Sequence, residues 1–314
     1  MMTKSNSSRI LVAGNSVVDL IFRGETFSKR REKDRLCLAF GGKYVPEEFF
    51  ECYGGGGANA AISLARQGFD VSLWTHLGND SFGRTISRNL RKEKVKTKLV
   101  RFKAKSTPIS SILLTPQGER TIITFRSDAD LITLNNGVRR AMNKRNWLAL
   151  FSLAKLPKKN KLEYINLAKK NGMKIFLSLH GTEYLKGHDY LKEYFSLADL
   201  IHINAHELAD IFGGNAPDFN FRKTNFAKKL NIPLLVVSYD IKGSFAYTKD
   251  KIYYQPIVKA NKIVDTTGAG DAFASGFLGS LIKDDSIEKA LHFGSQNASS
   301  LIQHLGAQNG LLKL

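Results

Sequence analysis

An α/β fold with a mostly parallel central sheet, joined by a small separate β element, is the class the sequence predicts. Two observations carry that prediction. Strand-length apolar runs alternate with helical segments along most of the chain, as βα units around a parallel sheet do. Two stretches, 24–53 and 99–125, break the alternation with turn residues and short aromatic or β-branched runs that have no helical period. With 314 residues and 43% hydrophobic composition, the chain can bury one large core. The expected organisation is a single domain over 1–314 whose two β stretches pair into one lid over the sheet edge.

The elements follow in order. "RILVAGNSVVDLIF" (9–22) reads as a buried strand, broken by Gly14 and Asn15 and ending in a loop that carries Asp19. A parallel sheet places ligands at such carboxyl ends. "GGGGANAAISLARQG", from Gly54, opens a helix of small residues, and "VSLWTHLG" (71–78) follows as a strand. Between 99 and 125, two apolar runs joined by "TPQGE" predict β-hairpins. Beyond Asp130 come a helix over 160–171, strands "MKIFLSL" and "ADLIHIN", helices "AHELADIFG" and 222–230, and strand "PLLVVSY". The pair "GSFAYT" and "KIYYQPI" precedes two closing helices near 270–283 and 286–303.

Lys and Arg number 47 against 28 Asp and Glu, a balance of +19 that favours anionic partners or simply a basic, solvated surface. The charge gathers at 28–35, 88–105, 139–145 and 155–161, with no interleaved aromatic residues to stack on bases. With only Cys37 and Cys52, no disulfide framework is needed. The polar "MMTKSNSSR" lacks the apolar core of a signal peptide, and no apolar run approaches the ~18 residues that span a membrane. A cytoplasmic protein is expected.

The densest chemistry lies in "VDTTGAGDAFASGF" (264–277), three glycines around the carboxylate of Asp271, leading into a helix. Without side chains in the way, the N–H groups of Gly268, Ala269 and Gly270 can converge on one anion at a helix N-terminus. Asp271 then has two readings. An acid on a first helical turn is favoured by the dipole alone, by ~0.3–1 kcal/mol. Beside a bound phosphate, the same carboxylate can take the proton of an attacking hydroxyl. The four-glycine run likewise serves either a ligand or a close helix-to-strand contact. It is no P-loop, because no Gly-Lys-Ser/Thr follows.

In order along the chain, Asp19, the glycine run with Asn59, "NAHE" (204–207) and "DTTGAGD" (265–271) resemble the PfkB carbohydrate kinase family, typified by ribokinase. The resemblance implies a ribokinase-like three-layer α/β/α domain with a small β-sheet lid. It implies an ATP- and Mg²⁺-dependent kinase that phosphorylates a hydroxyl of a small sugar or sugar derivative. Asp271 would be the base and the Gly268, Ala269 and Gly270 amides the anion hole. Asn15, Asp19, Gly55, Gly56 and Asn59 would hold the acceptor. Asn204 and Glu207 match the family's "NxxE", tied to Mg²⁺ through water and to phosphate. Asn204, Ser238, Gly243 and Asn297 fall where the family meets the nucleotide, and Asp265 and Thr267 where many members hold a monovalent cation such as K⁺. A homodimer through the lid is also expected, because apolar strand residues such as Phe40 and Phe49 invite pairing.

Departures from the pattern shape the alternatives. Asp240 stands where the family usually has glycine, and "LSLHGTEYL" lacks the Asp/Asn-Pro or Arg often found there. Near "SLAKLP", where ribokinase has a sugar-contacting acid, Lys155 is at hand and no acid, which weakens ribose as substrate. The pairing of Asn15 with Asp19 resembles the adenosine kinase form and raises a nucleoside as acceptor. A kinase-like scaffold that binds nucleic acid or protein is the alternative of another class; the +19 fits it, and the intact "GAGD" argues against it. His202 and His206 share a face only on a helix, and "DLIHIN" reads as a strand, so a zinc site is disfavoured. Phe40, Tyr44, Phe49, Phe50 and Tyr53 read as the core of the lid in preference to a stacking platform.

Overall fold

The computed structural model describes residues 8–28, 31–32, 35–179 and 181–314. Met1–Ser7, four residues of the basic run at 28–35 and His180 of "LSLHGTEYL" lie outside them. Among the described residues, nine strands form one sheet. Its order is Ile252–Gln255, Ser244–Tyr247, Leu235–Ser238, Leu200–Asn204, Lys174–Ser178, Trp147–Phe151, Arg9–Gly14, Asp70–Gly78 and Val100–Ala104. All neighbours pair in parallel except the last hairpin, where Leu235–Ser238, Ser244–Tyr247 and Ile252–Gln255 run antiparallel. This is a ribokinase-like α/β fold.

Helices cover both faces because alternate residues of each strand feed different cores. Leu11, Leu148, Leu150, Ile175 and Ile201 point into one. Ile10, Val12, Ala149, Phe151 and Phe176 point into the other, against the helices Gly56–Arg66, Ala269–Asp284 and Ile287–Leu301. Strands buried on both faces read as continuous apolar runs, which is why "WLALF" (147–151), with five of five residues buried, carries no period-2 signal. The sequence reading passed over this central strand, and also the helices Ser81–Lys92 and Gly187–Leu197.

A second sheet of four strands, in the order Glu48–Gly54, Val17–Arg23, Ile109–Leu114, Arg120–Phe125, lies apart from the first. Its composition corrects the expected lid in two ways. The stretch 9–22 is two strands in two sheets, divided at Asn15 and Ser16, so Asp19 sits on a strand of the small sheet and not in a loop. Val100–Ala104, expected in the lid, pairs with Thr75–Gly78 at the edge of the large sheet. The aromatic residues expected as lid core are not that core: Phe40 and Phe49 are exposed, and Ile21, Ile112 and Leu114 fill the interior with Phe50 beside them. Helix 222–230 begins only at Phe226.

One ion pair lies wholly inside the larger core. Lys161 donates to Glu183 at 2.6 Å, with both side chains about as buried as the surrounding leucines. Burial lowers the Lys161 pKa, and Glu183 opposes that shift. Tyr194 adds a longer hydrogen bond to the carboxylate. Breaking such a pair from one side strands a charge and costs about 3–5 kcal/mol. Lys161→Met should therefore lower the urea unfolding free energy by that amount, and adding Glu183→Leu should restore most of it. An additive loss in the double variant would show that the pair is not coupled.

Candidate active site

The site is assembled where the helix Gly56–Arg66 meets the end of the first strand. Two glycines allow the contact, since a Cβ on Gly14 would lie 2.6 Å from Gly57 Cα. Gly57 thus follows the packing reading of the glycine run, and so does Gly55, where a Cβ would lie 2.7 Å from Ser16 Cα. Gly55 turns the chain into the helix at φ 93°. Gly56 faces Asp271, whose Oδ1 lies 3.2 Å from the place a Cβ would occupy.

Gly268, at φ 79°, caps the helix Ala269–Asp284 and puts Asp271 on its first turn. Among the described residues, the N–H groups of Gly268, Gly270 and Asp271 have no protein acceptor, whereas that of Ala269 donates to Thr266 O at 3.3 Å. The expected donor set is therefore uneven, and the N–H of Asp271 joins it. Burial raises the Asp271 pKa; a hydrogen bond of 2.9 Å from Asn59 Nδ2 acts against that. Asn59 in turn accepts from Gln308 Nε2 at 3.2 Å, so both ends of its amide are engaged by protein.

A cavity of about 210 Å³ lies in front of these groups, lined by Asn15, Asp19, Gly55, Gly56, Asn59, Thr267, Gly268 and Asp271. Two polar atoms on its wall, Asn15 Oδ1 and Thr267 Oγ1, are buried without a protein partner. Asp19 is pushed up to about 6 by burial, with a Ser110 hydrogen bond pulling down and Asp265 adding repulsion. Five further polar lining residues, Ser110, Thr124, Arg126, Asp130 and Ser152, were missed in the sequence. Asp130 bears on the acid absent from "SLAKLP". It is buried, lines the cavity, and accepts from the Lys155 N–H at 3.2 Å, so "RSDAD" brings a carboxylate to that segment. A larger cavity, about 540 Å³, opens at the far sheet edge among Phe219, Tyr239 and Tyr254 and holds none of the motif residues named above.

The expected nucleotide residues divide. Asn204 and Glu207 form a capping box: Asn204 Oδ1 accepts from the Glu207 N–H at 2.8 Å, and Glu207 Oε2 from the Asn204 N–H at 2.9 Å. Burial, with Asp210 and Asp271 nearby, pushes Glu207 up to about 7. Ser238 meets His202 Nε2 at 3.2 Å, and Ser178 meets Nδ1 at 3.3 Å; burial lowers this histidine to about 4. Gly243 packs against the Gln255 carbonyl, where a Cβ would come within 2.3 Å. Asp240 has φ 41°, the conformation that explains a glycine there, and its carboxylate meets the exposed His206 at 3.2 Å. Asn297 is a correction. It is fully buried, with both amide N–H groups spent on Ser63 Oγ and Ala272 O and its oxygen turned to the Leu312 N–H, so it presents no exposed group to a nucleotide.

Asp265 ties the signature loop to the chain end, accepting from the Thr267 N–H at 2.9 Å and the Gly306 N–H at 3.1 Å. Each oxygen retains a lone pair, and Thr267 Oγ1 two residues along is buried without a protein partner, oxygens of the kind that fit a monovalent cation. His202 and His206 do not converge, and the described residues contain no group of three or more His, Cys, Asp or Glu placed to hold a metal.

A ribokinase-like sheet whose signature helix aims a carboxylate and bare amides into a small polar cavity defines a phosphotransferase. The chain belongs to the pfkB family of carbohydrate kinases, whose profile matches residues 18–314. It is 30% identical over 273 residues to the 5-dehydro-2-deoxygluconokinase of Halalkalibacterium halodurans, covering 81% of this chain and 80% of that one. It is 25% identical to the ATP-dependent 6-phosphofructokinase of Thermoanaerobacterium thermosaccharolyticum, covering 87% and 86%. Among solved structures, Arabidopsis thaliana ribokinase with ribose and ATP superposes with a TM-score of 0.78 at 21% identity, covering 98% and 96%. Adenosine kinase from Sinorhizobium meliloti gives 0.79 at 20%, covering 97% of each.

The raised pKa of Asp19 has a stability consequence. A carboxyl with a folded pKa near 6 against about 3.9 unfolded binds its proton more tightly when folded, so stability falls as pH rises from about 4 to 6 and levels off above. Asp19→Asn should remove that slope, gaining at most about 3 kcal/mol over wild type across the window. Urea titrations at pH 4, 5, 6 and 7 test this, and parallel curves for the two proteins would refute it.

Proposed function

We propose that the chain is an ATP- and Mg²⁺-dependent kinase that phosphorylates a hydroxyl of a small sugar or sugar derivative. The observation that carries the substrate class is the cavity wall. Around Asp271 it offers Asn15, Asp19, Ser110, Thr124, Arg126 and Asp130 beside a smaller apolar side of Val17, Pro108, Ile112, Ile122 and Ala307, and no aromatic ring among the described residues. Carboxylates, amides and hydroxyls together accept from and donate to a polyol, whereas a nucleoside base gains most from a stacking ring, which this wall does not supply. Drug-sized ligands occupy sites of roughly 300–1,000 Å³; at about 210 Å³ this one favours the smaller acceptor over the nucleoside.

In this reading the acceptor oxygen attacks the terminal phosphorus of ATP. A new O–P bond forms as the bond to the ADP oxygen breaks, and the hydroxyl proton passes to Asp271. The free N–H groups of Gly268 and Gly270 at the helix N-terminus stabilise charge on the transferring group. Bound Mg²⁺ would neutralise phosphate charge. Glu207 fits a hydrated ion, because Oε2 serves the cap while Oε1 is left over and the carboxylate faces the like charge of Asp271. Asn204 acts by holding Glu207. Asp265 and Thr267 would take K⁺ or a similar ion beside the signature loop.

The four-stranded sheet serves as lid, and Arg120 at its edge already donates to Thr266 in the signature loop. Its last strand, Arg120–Phe125, is exposed throughout and carries Ile122, Ile123 and Phe125, an apolar edge suited to a second copy of the chain.

Asp271→Asn keeps the size of the side chain and removes its basicity, so kcat should fall by ~10²–10⁴ with ATP binding within a few-fold. A coupled assay of ADP release over sugars, sugar acids and nucleosides reads both the acceptor and the loss. Near-normal turnover of the variant would discard Asp271 as base. For the lid, hydrogen exchange with and without the accepted sugar should protect residues 48–54 and 109–125 together, and protection of one segment alone would break the pairing of the two.

A further inference from the structure

Three amides and a carboxylate form one directed run between the helix Ser81–Lys92 and the reacting centre. Asn89 Nδ2 donates to Gln308 Oε1 at 2.9 Å. Gln308 Nε2 donates to Asn59 Oδ1 at 3.2 Å, and Asn59 Nδ2 donates to Asp271 Oδ2 at 2.9 Å. Each amide passes the same polarity to the next. A primary amide has two faces of nearly equal shape and opposite hydrogen-bonding sense, so its orientation is set by its neighbours. With Gln308 occupying the oxygen of Asn59, the NH₂ of Asn59 has to face Asp271. Reversed, the amide would set an oxygen against a buried carboxylate.

We propose that Gln308 is a positioning residue for the phosphoryl transfer, which keeps Asn59 in the orientation that holds Asp271. This rests on the reading of Asp271 as base. Gln308 is well placed for the task. Its side chain is buried, and its carbonyl is held independently by Arg66 Nη1 at 2.8 Å, with Arg66 itself fixed by a two-point pair to Glu93. The main chain at 308 therefore stays anchored when the side chain is changed. Asn59 thereby acquires a second duty: one face of its amide orders the base while it lines the acceptor cavity.

Gln308→Glu is the discriminating substitution. It preserves size and replaces the donor facing Asn59 by an acceptor, which favours the reversed amide and leaves Asp271 opposed by an oxygen. Expected is a fall in kcat of roughly tenfold to a hundredfold, the scale of misplacing a reacting group, with KM for ATP within about twofold. Gln308→Met, which removes the donor without inserting an acceptor, should lose clearly less. In an Asn59→Ala background, Gln308→Glu should have almost no further effect, because the amide through which it acts is gone. Thermal unfolding of each variant separates loss of fold from loss of order. The proposal is overturned if folded Gln308→Glu keeps its kcat, if Gln308→Glu and Gln308→Met lose equally, or if the Asn59 and Gln308 effects add. Asp271→Asn measured alongside keeps the two readings apart: an active Asp271→Asn refutes the base, while an inactive one with an unaffected Gln308→Glu refutes only the positioning role.

Discussion

The contact of Gly14 with Gly57, backbone on backbone, is the constraint from which the site follows. A side chain on either residue would lift the helix Gly56–Arg66 off the sheet, and with it Gly55, Gly56 and Asn59. Interiors are packed too densely to absorb that displacement. The same helix lies against Ala269–Asp284, with Asn297 of the next helix hydrogen-bonded to both Ser63 and Ala272, so Asn59 and Asp271 are held by a single packed layer. Two motifs more than 200 residues apart thus meet because two side chains are missing from one crossing.

Electrostatics at the site run against the overall charge. The chain carries +19, yet Asp19, Asp130, Asp265 and Asp271 stand within or beside one cavity, with Glu207 close behind. Burial raises Asp19, Glu207 and Asp271, and Asp19 and Glu207 are raised further by neighbouring carboxylates. Such crowding is costly in an empty fold and becomes useful when hydroxyl donors and cations arrive. The basic surface then has a plain reading as the field that draws anionic nucleotide towards an acidic interior.

Much of this was legible in the sequence because local chemistry and global fold agree at the motifs. Glycines mark the two helix starts, and Asp271 follows the second by three residues, so the pairing of bare amides with a carboxylate could be read without tertiary knowledge. What escaped detection depended on long-range packing. The strand Trp147–Phe151 is apolar on both faces and has no period to betray it. Asp130 sits in "RSDAD", an unremarkable loop until the fold brings it to Lys155. Asn297 looked available and is consumed by three internal partners. The division of 9–22 between two sheets turns on Asn15 and Ser16, a pair that a hydropathy profile reads as a mere dent in one strand.

That division has a kinetic meaning. Asp19 belongs to the small sheet and Asp271 to a helix packed on the large one, and where the strand of Asp19 follows the first strand of the large sheet only two residues intervene. On the proposed function, a molecule held by both acids would bridge two sheets joined there by a short tether. Fit would then be judged by whether a ligand reaches both acids at once. One that fills the volume without a hydroxyl for Asp19 would occupy the enzyme and leave it slack, a silent passenger where the true acceptor is the bolt.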